Sequence, residues 1–123
     1  MAQQRENPEK VRILINFAER INMIKHIVMW TIREGETPRV KFERMAELKT
    51  RLLDLKDRIS EIVSLEVYFN SPSAPGDNYD VVLMVEFNAW SELATYQQHP
   101  AHLEVVEYIK NVRQHRASLD YEF

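Results

Sequence analysis

Alternating apolar and polar side chains mark four stretches of the chain as β-strands, because successive residues of a strand point to opposite faces. In the first stretch, His26 shares a face with Val28 and Trp30. The opposite faces of the first and third stretches are also partly apolar, which predicts a sheet covered on both sides. The predicted strands span residues 24–33, 63–70, 79–87 and 117–123.

Apolar residues at steps of three and four predict the helices between these strands. Two short helices are predicted after the third strand, one capped by Asn88 or Ser91 and ending near residue 97, and one running from Pro100 to about residue 113. The longest helix opens at Thr37-Pro38, and its apolar stripe consists of Met45, Leu48, Leu52, Leu55 and Ile59.

The order of the predicted elements is strand, helix, strand, strand, helix pair, strand. This order is typical of an α+β fold of the ferredoxin-like kind, a four-stranded antiparallel sheet with helices on one face. We assign residues 23–123 to this domain. Residues 1–22 are predicted to form an N-terminal helical extension, because an amphipathic pattern begins there at Asn7-Pro8.

The face of the sheet that turns away from the helices is predicted to be apolar at its centre, at Ile27, Met29, Val82 and Met84. A monomer rarely exposes a contiguous apolar patch of this size. Two such sheets packed face to face would cover it, and a self-complementary surface is what a two-fold dimer uses. The pattern therefore predicts a homodimer through the open sheet face.

The segment Tyr96-Gln97-Gln98-His99-Pro100-Ala101-His102, called the elbow below, concentrates the candidate chemistry of the chain. Proline favours the first position of a helix and biases the preceding residue away from helical geometry. We therefore expect one helix to end near Gln97, with His99 at or beside the cap, and the next to begin at Pro100. Tyr96 then lies in the last turn of one helix and His102 in the first turn of the next, aimed at a common space.

Composition excludes several classes of function. The 123 residues carry a formal net charge of −3 and no cluster of basic and aromatic residues, so a nucleic-acid partner is not expected. The chain has no cysteine and only two glycines, hence no thiolate site and no glycine-rich phosphate loop. No apolar run is long enough to span a bilayer, and the N-terminus lacks a secretory signal, so the expected location is cytoplasmic without a membrane partner.

With this element order and the elbow in place, the chain from Met23 to Phe123 resembles the stress-responsive dimeric α/β-barrel (Dabb) proteins. The family usually has a glycine two residues before the asparagine that ends the second strand, and here that position is Tyr68. The residues that carry the resemblance are Ile24-Lys25-His26-Ile27-Val28, Tyr79-Asp80-Val81-Val82-Leu83 with Glu86-Phe87, the Tyr-x-x-His-Pro-x-His elbow, and Asp120-Tyr121.

The resemblance implies a dimeric α/β barrel of ferredoxin-like subunits, each with a pocket between its sheet and its helices. Some plant relatives look like cofactor-free polyketide cyclases, in which a tyrosine and a histidine at the positions of Tyr96 and His102 carry an aldol-type ring closure. His26 matches a histidine that lines the same pocket. No cofactor is implied.

The residues themselves fit an acid–base hypothesis. His102 lies near the positive end of a helix dipole, which disfavours the imidazolium and leaves a neutral base near pH 7. Tyr96 would donate a hydrogen bond to a carbonyl oxygen as it becomes an enolate. His26, Val28 and Trp30 would line the pocket.

Three other interpretations compete with catalysis. In the first, His99 and Pro100 form a structural elbow, and Tyr96 and His102 only pack and bond backbone groups. In the second, the pocket binds a small apolar ligand without chemistry. A metal site built from His99 and His102 with Asp120 or Glu104 has no diagnostic spacing, and no metal is predicted. The Arg113–Arg116 run is predicted to be solvated surface.

Overall fold

The structure, a computed structural model, describes residues 7–11 and 22–123. Its elements are β1 (Ile24–Ile32), α1 (Pro38–Arg58), β2 (Ser64–Phe69), β3 (Val81–Phe87), α2 (Trp90–Gln98), α3 (Pro100–Val112) and β4 (Arg113–Glu122). The strands form one antiparallel sheet in the order β2-β3-β1-β4, with the helices on one face, which confirms the predicted α+β ferredoxin-like architecture.

The core lies between the sheet and the three helices. The stripe of α1 buries Leu48, Leu52 and Leu55 against it, as the sequence pattern predicts. Strand β1 alternates strictly between buried and half-buried residues along its length. Among the described residues, His26 is the one polar side chain buried with this core, at 4% exposure.

Register places residues of neighbouring strands in rows that share a face, because directly paired residues of antiparallel strands point the same way. On the helix side, His26 pairs with Val85 of β3 and with Asp120 of β4, and Trp30 pairs with Arg116. These rows determine which polar side chains of the edge strand β4 reach the region beneath the helices.

The open face of the sheet carries the expected apolar patch. Ile27 pairs with Met84 on one side and with Leu119 on the other, and Met29 pairs with Val82 and Ala117. Tyr68, at the position of the family's usual glycine, belongs to this face, where its hydroxyl donates a 2.8 Å hydrogen bond to Glu66. Lys25 and Glu86 form a 2.7 Å ion pair beside the patch.

Two details of the predicted elements are wrong. Strand β4 begins at Arg113 and not at 117, because it follows α3 with no connecting residue. The cap of α2 is neither Asn88 nor Ser91: Ala89 occupies that position without a side-chain bond. The Glu92 carboxylate instead accepts the N–H of Asn88, at 3.1 Å. A carboxylate that reaches back three or four residues satisfies a free N–H as one half of a capping box does.

The predicted N-terminal extension is described only at residues 7–11. There the Asn7 side chain accepts the N–H of Glu9 at 2.9 Å, and the Asn7 carbonyl accepts the N–H of Val11 at 2.9 Å, so a helical turn begins where the Asn-Pro pair predicts it. Residues 12–21 lie outside the described part. The division into residues 1–22 and 23–123 stays a prediction.

Candidate functional pocket

The elbow has the geometry that Pro100 favours. His99 is extended, with φ −65° and ψ 134°, and it is at once the last cap of α2 and the first cap of α3. Its Nδ1 accepts the N–H of Ala101 at 3.0 Å and so satisfies one of the free donors at the start of α3. One residue therefore separates the two helices. The extended backbone of His99 and its cap bond together fix how the helix that carries Tyr96 is oriented relative to the helix that carries His102.

His102 is held by a backbone carbonyl. Its Nδ1 lies 3.1 Å from the carbonyl oxygen of Gln97. A carbonyl only accepts, so Nδ1 carries the hydrogen in this contact, and Nε2 of a neutral ring keeps its lone pair. Burial is the main cause that lowers the pKa of His102, and the nearby cation of Arg116 lowers it further. The hydrogen bond to Gln97 opposes these effects. The neutral, proton-accepting form of the ring is therefore favoured.

Tyr96 is completely buried among aromatic rings. Its ring centroid lies 4.4 Å from that of His102, 5.0 Å from Phe87 and 6.0 Å from His26. The phenolic oxygen is inaccessible and has no hydrogen-bond partner among the described residues. Burial raises the pKa of Tyr96, so the phenol keeps its proton. A protonated donor thus lies beside a neutral imidazole.

His26 is paired with Asp120. The distance between Nδ1 and the nearer carboxylate oxygen is 2.5 Å, and Asp120 accepts the hydrogen bond from this nitrogen. The two residues are direct partners in the β1–β4 register. The imidazole is almost fully buried and the Asp120 side chain is one-third exposed, so the pair links the core to the solvent-facing side of β4. This contact satisfies Nδ1 of the buried His26 imidazole and leaves its Nε2 for any further partner.

A cavity of about 360 Å³ lies between β1 and α3, near the lower end of the size range of small-molecule pockets. The structure brings His26, Val28, Trp30, Tyr96 and His102 together in its wall. The indole Nε1 of Trp30 is buried and, like the Tyr96 hydroxyl, has no partner among the described residues. Both residues line the cavity, but these two donor atoms lie behind its surface and are inaccessible.

Part of the pocket wall was not predicted. The Arg113–Arg116 run is not simply solvated surface, because Arg113 is half-buried and both arginines line the cavity. Arg116 reaches it because it pairs with Trp30, and that register cannot be read from the sequence. A helical stripe after His102 was a readable signal for the apolar members of the wall, Val105, Val106 and Ile109.

Metal binding finds no support in the part of the chain that is described. No three His, Asp or Glu side chains there are grouped to hold an ion. The Nδ1 of His99 is already engaged by Ala101, and Glu104 faces Arg58 at 3.3 Å.

No helix among residues 7–11 and 22–123 is long and apolar enough to cross a bilayer.

Solved structures share this fold across most of the chain. A dimeric ferredoxin-like protein of unknown function from Bacteroides fragilis is 31% identical, with a TM-score of 0.74 over 82% of this chain and 96% of its own. A second one, from Thermobifida fusca, is 22% identical, with a TM-score of 0.71 over 83% and 92%. A hydroxynitrile lyase from Passiflora edulis matches with a TM-score of 0.71 over 84% and 94%, and its 12% identity shows the fold alone. No curated protein matches the chain.

Fold and pocket together define a ferredoxin-like α+β protein with a small cavity between sheet and helices. The model of the stress responsive A/B barrel domain matches residues 24–123. The chain belongs to this family, as the elbow and the first strand indicated.

The pH dependence of His102 is the first prediction. Its lowered pKa means that the folded protein binds this proton less readily than the unfolded chain, whose value is about 6.5. The contribution of His102 to stability is therefore complete above that pH and is lost as the pH falls toward the lowered pKa. NMR titration of the ring should give a midpoint below 6.5.

Replacement of His102 tests whether its lowered pKa makes the stability of the protein depend on pH. His102→Gln should lose less stability between about pH 7 and pH 5 than the unmodified protein does, whereas His115→Gln, at an exposed position, should follow the unmodified protein. A His102 midpoint at or above 6.5 would contradict the burial argument.

Tyr96→Phe is the second prediction. The substitution removes a buried hydroxyl that has no partner among the described residues and keeps the ring that packs on Phe87. An unsatisfied buried polar group costs about 1–3 kcal/mol. The free energy of unfolding in urea should therefore stay constant or rise, at fixed protein concentration. A loss of more than about 1 kcal/mol would show that the hydroxyl is satisfied in solution.

Proposed function

We propose that the protein is a homodimer, closed through the open sheet face, in which each subunit binds a small and mainly apolar ligand in the pocket beside Tyr96, His102 and His26. The observation that carries the binding function is the pocket itself. Its wall is mostly apolar, and the half-buried side chains of His102 and Arg113 add polar groups to it. Pockets for small ligands combine an apolar wall with a few polar groups in this way.

The dimer rests on the open face of the sheet. Leu119 is 62% exposed and Tyr68 is 54% exposed, and both flank the half-buried residues Ile27, Met29 and Met84. The charged residues at this face are already paired, Lys25 with Glu86 and Glu66 with Tyr68. Packing two copies of this face together would bury the apolar patch without stranding these groups. The related proteins from Bacteroides fragilis and Thermobifida fusca are described as dimeric.

A charge placed in this face should break the dimer, which is the third prediction. Leu119→Glu puts a carboxylate next to Ile27 in the apolar patch of the proposed interface, where it would lose its water. Leu103→Glu is the matched control, because Leu103 is 50% exposed on the other side of the molecule, on α3. Analytical ultracentrifugation should show a dimer for the unmodified protein and Leu103→Glu, and monomer or a much weakened dimer for Leu119→Glu. Dimers of equal stability in all three would overturn the proposed interface.

Ligand binding is the fourth prediction. A panel of small aromatic and alkyl alcohols, phenylbutanol among them, should shift the NMR signals of His102 and of the indole of Trp30. Val106→Trp places a large side chain on a half-buried position of the pocket wall and should block binding. Leu103→Trp adds the same side chain one turn away on the exposed face of α3 and should leave binding intact. Binding that survives Val106→Trp, or none by any compound, would contradict the proposal.

The second candidate is cofactor-free acid–base catalysis by His102 and Tyr96. The observation that favours it is the contact of a ring held neutral with a phenol held protonated, 4.4 Å between centroids. His102 Nε2 would take a proton from a carbon next to a carbonyl, and the Tyr96 hydroxyl would donate a hydrogen bond to the resulting enolate oxygen. The likeness to a hydroxynitrile lyase supports only that this fold is compatible with an enzyme. Binding is favoured because the phenolic oxygen is inaccessible in this arrangement.

Proton exchange separates the two candidates. The protein is mixed in D₂O with ethyl methylacetoacetate, whose central carbon carries one acidic proton. An enzyme should accelerate loss of that proton signal, and His102→Gln should remove about a hundred- to ten-thousand-fold of the acceleration. A binding protein should leave the exchange at the rate of the buffer.

A further inference from the structure

Three cationic side chains surround the opening of the pocket. Lys110 comes from the last turn of α3, and Arg113 and Arg116 come from the start of β4. Lys110 and Arg116 are exposed and Arg113 is half-buried, whereas Trp30, deeper in the wall, is 3% exposed. The charges therefore lie at the mouth, and the apolar surface lies inside.

This positive charge is only partly neutralised. In the described part of the chain, Lys110 has one acidic neighbour, Glu107 at 3.3 Å, and neither Arg113 nor Arg116 forms an ion pair. Arg116 makes one long hydrogen bond, 3.4 Å, to the Ser118 hydroxyl. A surplus of positive charge at one mouth is notable in a chain whose net charge is −3.

Negative groups near the mouth are already engaged. The carboxylate of Asp120 accepts the hydrogen bond from His26. The end of α3 presents the negative end of a helix dipole, equivalent to about half a charge. Arg33 lies against it, since its N–H donates to the Val112 carbonyl at 2.8 Å and its Nε donates to the Arg113 carbonyl at 3.0 Å. The positive charge at the mouth therefore exceeds the negative charge that is available near it.

We propose that the ligand of this pocket is a small amphipathic carboxylate, whose anionic group is bound by Arg113 and Arg116 at the mouth while its apolar body lies against Trp30 and α3. The inference rests on the proposed ligand-binding function and adds the chemical class of the ligand. Guanidinium groups suit this task because their planar fork matches the two oxygens of a carboxylate. Arg113 is half-buried, so water screens its attraction for a carboxylate less than it screens that of an exposed cation.

The experiment compares phenylbutyrate with phenylbutanol, two compounds with the same apolar body that differ in charge. Isothermal titration calorimetry on the 123-residue protein at low salt should show the carboxylate binding about ten- to a hundredfold more tightly, as hydrogen bonds to charged groups imply. Raising the ionic strength should weaken the binding of phenylbutyrate and leave the affinity for phenylbutanol unchanged. Phenylbutylamine, which has the opposite charge, should bind most weakly of the three.

Variants of the mouth identify the groups that make this preference. Arg113→Gln combined with Arg116→Gln should remove the preference for phenylbutyrate and leave the affinity for phenylbutanol within about twofold. Arg39→Gln is the matched control, because Arg39 is an exposed arginine of α1 outside the pocket wall, and it should behave as the unmodified protein. Arg116→Gln alone should lose part of the preference and provides the test if the double variant does not fold.

Each result has a distinct meaning. Equal affinities for phenylbutyrate and phenylbutanol in the unmodified protein would overturn the carboxylate inference and leave the apolar pocket standing. A preference for phenylbutyrate that survives the replacement of Arg113 and Arg116 would also overturn it. Absence of binding by all three compounds would overturn the proposed function, and the inference with it.

Discussion

The two-residue alternation of β1 is the constraint on which the rest of the structure depends. One face of this central strand must fill the space under the helices, and the other must meet whatever covers the open side of the sheet. His26, Val28 and Trp30 fall on the first face, Ile27 and Met29 on the second. A shift of pairing by one residue would exchange the two sets, so core, pocket wall and proposed interface are specified by the same register.

Buried polar groups in this core divide into satisfied and unsatisfied ones. The imidazole of His26 is satisfied by Asp120. The hydroxyl of Tyr96 and the indole N–H of Trp30 find no partner among the described residues, although both lie in the wall of one cavity. Unsatisfied buried polar groups destabilise a fold and are found mainly near functional sites. The pocket, and not the apolar stripe of α1, is therefore the place to look for function.

Features that depend on local sequence, such as the elbow, could be predicted. Contacts that depend on the register between distant strands could not. Pro100 alone determines where α2 ends, where α3 begins and which residue caps them, so the elbow follows from the sequence. Asp120 and Arg116 could not be placed, because their contacts depend on which residue of β4 lies opposite His26 and Trp30. The start of β4 was missed for a related reason: α3 passes into the strand with no turn residue to mark the boundary. Pairing between distant strands leaves no local signal.

Binding and catalysis differ in this pocket by the accessibility of one oxygen atom. His102 and Tyr96 have the protonation states that acid–base chemistry requires, yet the phenolic oxygen is inaccessible while the two rings pack together. The His102 ring is held both by its hydrogen bond to Gln97 and by its packing on Tyr96. An enzyme built on this pocket would therefore need a change of packing that brings the phenolic oxygen to the ligand, and a binding protein would not require it.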